Sequence, residues 1–165
     1  MSIIREIQTA RVLILGCGNT LLGDDGFGPA VIEALEKKFV LPRDVYAEDV
    51  GTSIREVLFD IALSEKRPAH VVLIDTINKE GRDYGDIVEV DPKNLSENKR
   101  VDYSLHQFPT SNLLQEIQEL CGVKVTVIAA HMPDRPEQLT MGLSEKMEKG
   151  VSTAAHKVYE LAVKD

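Results

Sequence analysis

The sequence predicts an α/β fold: a three-layer sandwich in which helices cover both faces of a mostly parallel, doubly wound sheet of about five strands. Two observations support this prediction. Continuous apolar runs, RVLILG at 11–16 and HVVLID at 70–75, are typical of strands buried on both faces. Amphipathic segments with helical periodicity lie between such runs. A length of 165 residues suits one compact domain, so we expect residues 1–165 to form a single domain.

The first half of the chain alternates predicted strands with predicted helices. After the strand at 11–16, a helix begins at Phe27 and buries one face, which carries Val31, Ala34, Leu35 and Phe39. A short second strand at 44–48 follows. Ser53 and Glu56 then have the spacing of a capping box, in which each side chain bonds the other residue's backbone N–H. This box predicts a second helix with a buried stripe formed by Ile54, Val57, Leu58, Ile61 and Ala62.

Further strands are predicted in the second half. The strand at 70–75 ends in an acidic residue. The segment at 85–91 alternates apolar and acidic residues, which is typical of a more exposed edge strand that can pair antiparallel. The apolar run at 123–130 predicts the last strand. Ligands of such sheets bind at the carboxyl ends of the strands, so the ends of the strands at 11–16 and 70–75 should lie close together.

One helix is predicted between the strands at 85–91 and 123–130, and another is predicted after the strand at 123–130. Thr110 or Ser111 caps the first of them, and Gly122 ends it with the left-handed backbone that glycine favours. Its inward face is predicted to comprise Leu113, Leu114, Ile117 and Leu120. Ser144 caps the second helix, whose buried stripe is predicted to comprise Met147, Val151, Ala155, Val158 and Leu161.

The chain carries 27 acidic and 19 basic residues, which gives a net charge of −8. This charge repels nucleic acids and anionic membranes, so we expect neither as a partner. The acidity fits ordinary solubility and a preference for basic partners equally well. The cysteines Cys17 and Cys121 show no Cys-x-x-Cys spacing, which indicates reduced thiols. Because the sequence has neither a signal-peptide pattern nor an apolar run of about 18 residues, we expect a cytoplasmic protein.

The segment LGCGNTLLGDDGFG at 15–28 joins the first predicted strand to the first helix, where glycine-rich turns commonly bind phosphate. Its spacing fits neither common phosphate motif. The dinucleotide fingerprint G-x-G-x-x-G has Leu21 where its third glycine belongs. The P-loop spacing has Asp24 where the lysine belongs, and a carboxylate there repels phosphate. Nucleotide binding is therefore not expected.

Acidic side chains and a histidine are predicted to lie near this crevice. Asp24 and Asp25 lie at a helix N-terminus, where the helix dipole stabilises an anion, and one can cap the helix while the other faces the crevice. Asp75 ends its strand at the same sheet edge, although it could simply initiate a turn. His106 is the best placed of four histidines, although a lone loop histidine is commonly incidental. Two carboxylates and an imidazole that converge form a divalent-cation site with open positions.

Several motifs together carry a resemblance to a known family. They are GCGNTLLGDDGFGPAVIEAL, EDVGTS, VVLIDTI, SLHQF and a late GLS before the last helix. In this order the chain resembles the nickel–iron hydrogenase maturation endopeptidases from about Arg11 to Val163. The form GCGN…GDDGFGP and the segment GTSIRE are most similar to the branch that processes deazaflavin (coenzyme F-420) reducing hydrogenases.

The resemblance implies an endopeptidase with a protein partner. Such enzymes remove a short C-terminal extension from the precursor of the hydrogenase large subunit after nickel insertion. The nickel is supplied with the substrate and serves as a recognition element. The implied partner is therefore the large-subunit precursor of a nickel–iron hydrogenase, and the similarity to the deazaflavin branch implies a deazaflavin-reducing one.

The resemblance also implies which residues carry the activity. The predicted metal ligands, which are also the predicted catalytic residues, are Asp25, Asp75 and His106. Asp24 is then the cap or a supporting residue. The predicted substrate-binding residues are Asp49, Gly51 and Thr52. Val50 departs from the pattern, because some relatives have a second glycine at this position.

Peptide hydrolysis needs a nucleophile, and the sequence contains neither a G-x-S-x-G elbow nor an H-E-x-x-H helix. Cys17, in the same turn as the aspartates, is one candidate if it pairs with His106. The alternative is that Cys17 is a small buried residue. The remaining option uses nickel, which can polarise a carbonyl or activate water.

Two other functions are compatible with parts of the sequence. A non-enzymatic nickel-binding carrier would use the same three ligands, but the chain lacks a His-rich tract. A peptidyl-tRNA hydrolase-like enzyme would share the fold and a first turn that contains Gly-Asn. The net charge of −8 and the paired aspartates oppose its polyanionic substrate.

Overall fold

The computed structural model describes residues 3–94, 102–103 and 110–164. Within these ranges the side chains of residues 94, 102, 103, 110 and 111 are not described. His106 therefore lies outside the described residues.

The centre of the structure is a mixed sheet. Its strands are β1 (Val12–Cys17), β2 (Val45–Gly51), β3 (His70–Asn78), β4 (Ile87–Val90), β5 (Asp102–Tyr103) and β6 (Lys124–His131). The order is β2-β1-β3-β6-β4, and the two-residue β5 pairs with β3 off this path. The first four strands of this order are parallel, whereas β4 pairs antiparallel with β6 and β5 antiparallel with β3. The prediction of a mostly parallel sheet with an antiparallel edge strand is confirmed.

Helices cover both faces of the sheet, as predicted. They are α1 (Ile4–Thr9), α2 (Phe27–Lys38), α3 (Ile54–Leu63), α4 (Thr110–Cys121) and α5 (Glu145–Lys164). One core cluster lies between the sheet and α2 and α5, and the other lies between the sheet and α1, α3 and α4. Within the described ranges, no helix combines the length and the apolar character needed to cross a membrane.

The alternation of side chains along β1 explains why its sequence is a continuous apolar run. Leu13 and Leu15 pack into the cluster under α3 and α4, whereas Val12 and Ile14 pack into the cluster under α2 and α5. All six residues of β1 are buried. A strand buried on both faces needs apolar side chains at every position, which is the pattern that the sequence shows.

Several local predictions are wrong. Ser53 precedes α3 as predicted, but its side chain makes no capping hydrogen bond, so the capping box does not form. Leu120 is 80% exposed rather than inward. The strand predicted at 70–75 continues to Asn78, so that Asp75 lies inside β3 instead of at its end. The helix α1 was not predicted, because six residues are too short to show a clear helical period.

Two other predicted caps, Ser144 and Gly122, are found, whereas the side chains of Thr110 and Ser111 lie outside the described part of the structure. The Met147 N–H donates a hydrogen bond to Ser144 Oγ at 3.4 Å at the start of α5. Gly122 follows α4 with a φ of +67°, which is the left-handed conformation that ends many helices.

The first turn of α2 lies directly against the backbone of two strands. A Cβ atom at Gly28 would lie 2.2 Å from the Cys17 carbonyl oxygen and 2.7 Å from the Ile74 carbonyl oxygen. At Gly16 a Cβ would lie 2.5 Å from a side-chain carbon of Ile32 and 2.8 Å from the Gly28 carbonyl oxygen. Any side chain at these positions would push α2 away from β1 and β3. Both glycines are therefore required by close approach.

We expect Gly28→Ala to destabilise the protein by about 2 kcal/mol or more, because the new methyl group has no space. In an exposed helix the same change would stabilise the protein by about 0.5–1 kcal/mol through helix propensity. The sign of the change in the free energy of unfolding therefore shows whether crowding or helix propensity dominates. Urea unfolding at equilibrium measures the effect. Glu36→Ala, on the exposed face of α2, is the control and should change the free energy of unfolding by less than about 0.5 kcal/mol. A stabilising Gly28→Ala would contradict the close approach.

Candidate functional site

The candidate site lies at the carboxyl end of β1, at the level of Asp75 in the neighbouring strand β3. From β1 the strand order runs outward to β2 in one direction and to β3 in the other, and such a switch point opens a crevice beside the sheet. The motif loop, residues 18–26, joins β1 to α2 at this edge. Gly18 has a φ of +138°, and a Cβ there would lie 1.9 Å from the Asp25 carbonyl oxygen. The glycine therefore allows the loop to fold back on itself.

Asp25 is fully buried in the short 3-10 turn Gly23–Gly26. Its Oδ2 accepts a hydrogen bond from the Asn19 N–H at 3.0 Å. Its Oδ1 is buried and has no hydrogen-bond partner in the described part of the chain. A buried carboxylate oxygen without a partner is costly, so such groups are commonly paired with a cation or a metal. This oxygen fits the metal-ligand role predicted for Asp25.

Asp24 is buried as well, but both of its oxygens are used within the protein. Oδ2 accepts a hydrogen bond from the Tyr84 hydroxyl at 2.5 Å. Oδ1 accepts one from the Ser144 N–H at 2.6 Å, immediately before α5. The sequence predicted that Asp24 caps α2 or supports Asp25. The carboxylate instead joins the motif loop to Tyr84 and to the backbone of Ser144, the residue before α5.

Asp75 lies at the same sheet edge. In the parallel pairing of β1 with β3, Gly16 is opposite Ile74, so Asp75 follows at the level of Cys17. Asp75 is 5% exposed, and its Oδ1 accepts a hydrogen bond from the Thr76 N–H at 2.8 Å. The negative charges of Asp75, Asp49 and Asp25 all act on the Cys17 thiol. These three predicted site residues therefore lie near enough to the end of β1 for their charges to act on Cys17.

Cys17 does not fit the role of nucleophile. Burial raises the pKa of its thiol well above the ordinary value, and the carboxylates of Asp75, Asp49 and Asp25 raise it further. The thiol is therefore protonated at neutral pH, whereas a nucleophilic cysteine needs the thiolate. Its Sγ lies 3.9 Å from the Leu15 carbonyl oxygen, a weak contact. The structure thus favours the alternative in which Cys17 is a small buried residue.

The predicted substrate-binding residues lie at the end of β2. Asp49 is exposed, and its Oδ1 accepts a hydrogen bond from the Gly51 N–H at 2.9 Å. Gly51 has a φ of +54°, and its carbonyl oxygen accepts the Gly18 N–H at 3.0 Å, which joins this turn to the motif loop. Thr52 is exposed beside it. Asp49 also lines a cleft of about 370 Å³ that it shares with Gly23 and Gly26 of the motif loop.

The third predicted ligand, His106, lies outside the described residues. In the sequence it nevertheless comes shortly after β5, whose pairing with β3 is described. Tyr103 of β5 lies opposite Ile77, two residues past Asp75 in β3, and His106 comes three residues later in the chain. Within the described ranges, no group of three or more histidine, cysteine or acidic side chains is arranged to hold a metal ion. Asp25 and Asp75 would need a further ligand.

Tyr84 is a site residue that sequence reasoning missed. Sixty positions separate it from Asp24, and neither its spacing nor its neighbours in the sequence indicate the contact. His131, at the end of β6, is buried and was not selected from the sequence. Its Nδ1 accepts the Lys79 N–H at 3.0 Å, so it holds the chain where it leaves β3.

The chain is similar to proteins that mature hydrogenases. A family model described as hydrogenase maturation protease matches residues 29–161. The coenzyme F-420 hydrogenase subunit delta of Methanothermobacter thermautotrophicus is 32% identical over 162 residues, which cover 92% of this chain and 94% of that protein.

Two solved structures share the fold over most of their length. The hydrogenase maturating endopeptidase HybD of Escherichia coli superposes with a TM-score of 0.73 at 26% identity and covers 93% of each chain. The [NiFe] hydrogenase maturation protease HybD of Thermococcus kodakarensis superposes with a TM-score of 0.70, also at 26% identity. That match covers 92% of this chain and 99% of the other.

The two adjacent aspartates are expected to respond oppositely to the same substitution. Asp24→Asn should lower the free energy of unfolding by about 1–2 kcal/mol, because it weakens two hydrogen bonds to a charged acceptor. Asp25→Asn should leave it unchanged or raise it, because the amide keeps the bond from the Asn19 N–H and removes a buried charge. Denaturant unfolding of both variants in metal-free buffer tests this. Equal losses in the two variants would contradict the assignment.

Tyr84→Phe should change how stability depends on pH. Burial raises the pKa of the Tyr84 phenol, and its hydrogen bond to Asp24 raises it further. An unfolded tyrosine loses its proton near pH 10, before the folded one does. The stability from this difference is therefore present below about pH 10 and is lost as the pH rises beyond it.

The free energy of unfolding of the wild type should thus fall more steeply above pH 10 than that of Tyr84→Phe. Tyr159→Phe is the matched control, because the Tyr159 ring stacks on Phe39 and its hydroxyl has no hydrogen bond in the described part of the chain. The control should keep the slope of the wild type. If the free energy of unfolding depended on pH in the same way in all three proteins, the Asp24–Tyr84 hydrogen bond would make no contribution to that dependence.

Proposed function

Because the chain belongs to the hydrogenase maturation protease family, we propose that it is an endopeptidase that removes the C-terminal extension of a nickel–iron hydrogenase large-subunit precursor. The observation that carries this proposal is the buried Oδ1 of Asp25 at the carboxyl end of β1, which has no hydrogen-bond partner among the described residues. A protease that acts only after nickel insertion needs a ligand that the bonds of its own fold do not occupy. Asp25 supplies one, whereas both oxygens of Asp24 are used within the fold.

Asp25, Asp75 and His106 would hold the nickel that arrives in the precursor. Carboxylate and imidazole groups suit a borderline divalent ion, which supports the choice of donors. Nickel, when bound, would supply the Lewis acidity that polarises a carbonyl or lowers the pKa of water. Because enzyme and precursor would bind the same nickel ion, the affinity of the enzyme for the precursor would depend on whether the precursor carries nickel.

The chain's own residues then have separate tasks. Water adds to the carbonyl carbon of the scissile bond, the amide C–N bond breaks, and a carboxylate of the site passes the proton of that water to the leaving amine. The protonated thiol of Cys17 takes no part in this step. Asp49, which lines the cleft, would contact the substrate chain together with Gly51 and Thr52.

A deazaflavin-reducing hydrogenase is the proposed source of the precursor. Support comes from the similarity to a protein named as a coenzyme F-420 hydrogenase subunit, which extends over 92% of this chain. The segments GCGN…GDDGFGP and GTSIRE point to the same branch.

The first test is a cleavage assay on the purified large-subunit precursor, with and without nickel, read out by mass spectrometry. We expect the C-terminal extension to be removed only from the nickel-loaded precursor. Asp25→Asn and His106→Ala should reduce the rate by at least about 100-fold, because each removes a ligand. His156→Ala is the control for the histidine variant, because His156 lies on the exposed side of α5. It should cleave at the rate of the wild type.

Two outcomes would contradict the proposal in different ways. Full cleavage in excess chelator would show that nickel is not shared between enzyme and substrate. Failure to cleave any nickel-loaded precursor, with nickel binding intact, would favour a nickel carrier.

A further inference from the structure

The buried imidazole of His131 lies on the same face of the sheet as Asp75. In the parallel pairing of β3 with β6, Ala129 is opposite Asp75, and two residues further along His131 is opposite Ile77. Ala129 and Ile77 both pack into the core cluster under α3 and α4. Since every second side chain of a strand lies on one face, Asp75 and His131 lie on that face as well. Strand geometry places their Cα atoms about 8 Å apart, with His131 nearer the carboxyl edge.

One ring nitrogen of His131 is used by the fold, and this bond determines the state of the other nitrogen. Nδ1 accepts a hydrogen bond from the Lys79 N–H at 3.0 Å. A ring nitrogen that accepts a hydrogen bond carries no proton, so the ring is neutral and its proton is on Nε2. Nε2 has no hydrogen-bond partner among the described residues. It is therefore a donor that lacks an acceptor, and in this tautomer it has no free lone pair with which to bind a metal.

Hydrogen bonds of the backbone hold this ring in place. The His131 N–H donates to the Asp86 carbonyl oxygen at 2.8 Å, and the His131 carbonyl oxygen accepts the Gly85 N–H, also at 2.8 Å. The Met132 N–H donates to the Ile77 carbonyl oxygen at 2.9 Å, which ties the next residue to β3. His131 itself is only 5% exposed. A donor that is fixed and shielded from water binds an acceptor strongly, because the protein need not reorganise when the bond forms.

The chemistry of the proposed substrate supplies an acceptor. A peptide carbonyl oxygen accepts hydrogen bonds, and it gains negative charge when water adds to the carbonyl carbon. Ionised carboxylates such as those of Asp25 and Asp75 have only acceptor oxygens, so they cannot stabilise this charge by hydrogen bonding. A neutral N–H donor on the same face of the sheet can do so. The Nε2–H of His131 has this chemistry.

We propose that the Nε2–H of His131 donates a hydrogen bond to the carbonyl oxygen of the scissile peptide bond and stabilises the oxyanion that forms there. The inference rests on the proposed function and adds a catalytic residue to it. His131 transfers no proton in this role. Water adds to the carbonyl carbon, the electron pair of the C=O π bond moves to the oxygen, and the donor stabilises that charge. The charge is lost when the C–N bond breaks and the carbonyl group forms again.

Two substitutions separate the roles of the two ring nitrogens. The side-chain oxygen of asparagine can take the place of Nδ1 as an acceptor, whereas the side-chain N–H of glutamine can take the place of Nε2 as a donor. His131→Asn should therefore keep the hydrogen bond from the Lys79 N–H and lose the donor. His131→Gln should lose that bond and keep a donor. Amide hydrogen exchange at Lys79 shows which variant retains the bond, because a bonded amide exchanges slowly.

Cleavage and binding are measured with the purified, nickel-loaded large-subunit precursor. His131→Asn should lower kcat by at least about 100-fold, which is typical when one donor to an oxyanion is removed. It should raise the Kd only about two- to tenfold, because a hydrogen bond to the uncharged carbonyl oxygen contributes less. His131→Gln should keep kcat within about tenfold of the wild type, because it restores a donor. His156→Asn makes the same change at an exposed histidine of α5 and should behave like the wild type.

The outcomes separate this inference from the proposed function. If the wild type cleaves and His131→Asn loses more of kcat than His131→Gln, both stand. Any other order of the two variants overturns the inference and leaves the proposed function intact, since a loss that follows the Lys79 bond shows a role in the fold alone. If the wild type binds the precursor without cleaving it, the proposed function fails. Weaker binding by His131→Asn than by His131→Gln then still supports the contact, whereas an equal Kd, or no binding by the wild type, overturns it.

Discussion

At Gly28 the first turn of α2 rests on the backbone of β1 and β3, and the positions of the site side chains follow from that contact. The helix approaches so closely that a Cβ atom would overlap the Cys17 carbonyl oxygen. The loop that joins β1 to α2 must therefore turn within a short distance, which Gly18 permits through its positive φ and its contact with Asp25. A buried carboxylate at the end of the sheet is the result. Backbone packing therefore determines where the candidate site residues lie in this fold.

Asp24 and Asp25 show how adjacent, identical residues can have opposed roles. Asp24 has two donors, the Tyr84 hydroxyl and the Ser144 N–H, and it contributes to the stability of the fold. Among the residues that the structure describes, Asp25 has a donor for one oxygen only, so its burial lowers the stability of the fold. The bonds of Asp24 hold the turn in place and so keep Asp25 buried. The residue that stabilises the turn and the proposed metal ligand are thus neighbours in the chain.

The sheet could be predicted from the sequence because its strands are continuous apolar runs, and a strand buried on both faces has no other pattern. The positions of Asp25 and Asp75 at one edge followed from topology alone. The contact of Asp24 with Tyr84 and Ser144 could not be predicted, since it depends on how α5 and the turn before β4 meet in space. Leu120 and the capping box failed for a similar reason: a local pattern states a preference, and tertiary packing decides whether it is met.

The hydrogen bond between Asp24 and the Ser144 N–H joins positions 120 residues apart. Ribosomes release chains from the N-terminus at about 5–20 residues per second, so the motif loop is made many seconds before its partner. Until Ser144 emerges, the loop lacks the bond that anchors it, and long-range contacts of this kind form late because loop closure must come first. The anchored turn is therefore completed only after β6 has been made. A nascent chain that still lacks Ser144 cannot form this bond, so the turn that contains Asp25 gains this anchor only late in synthesis.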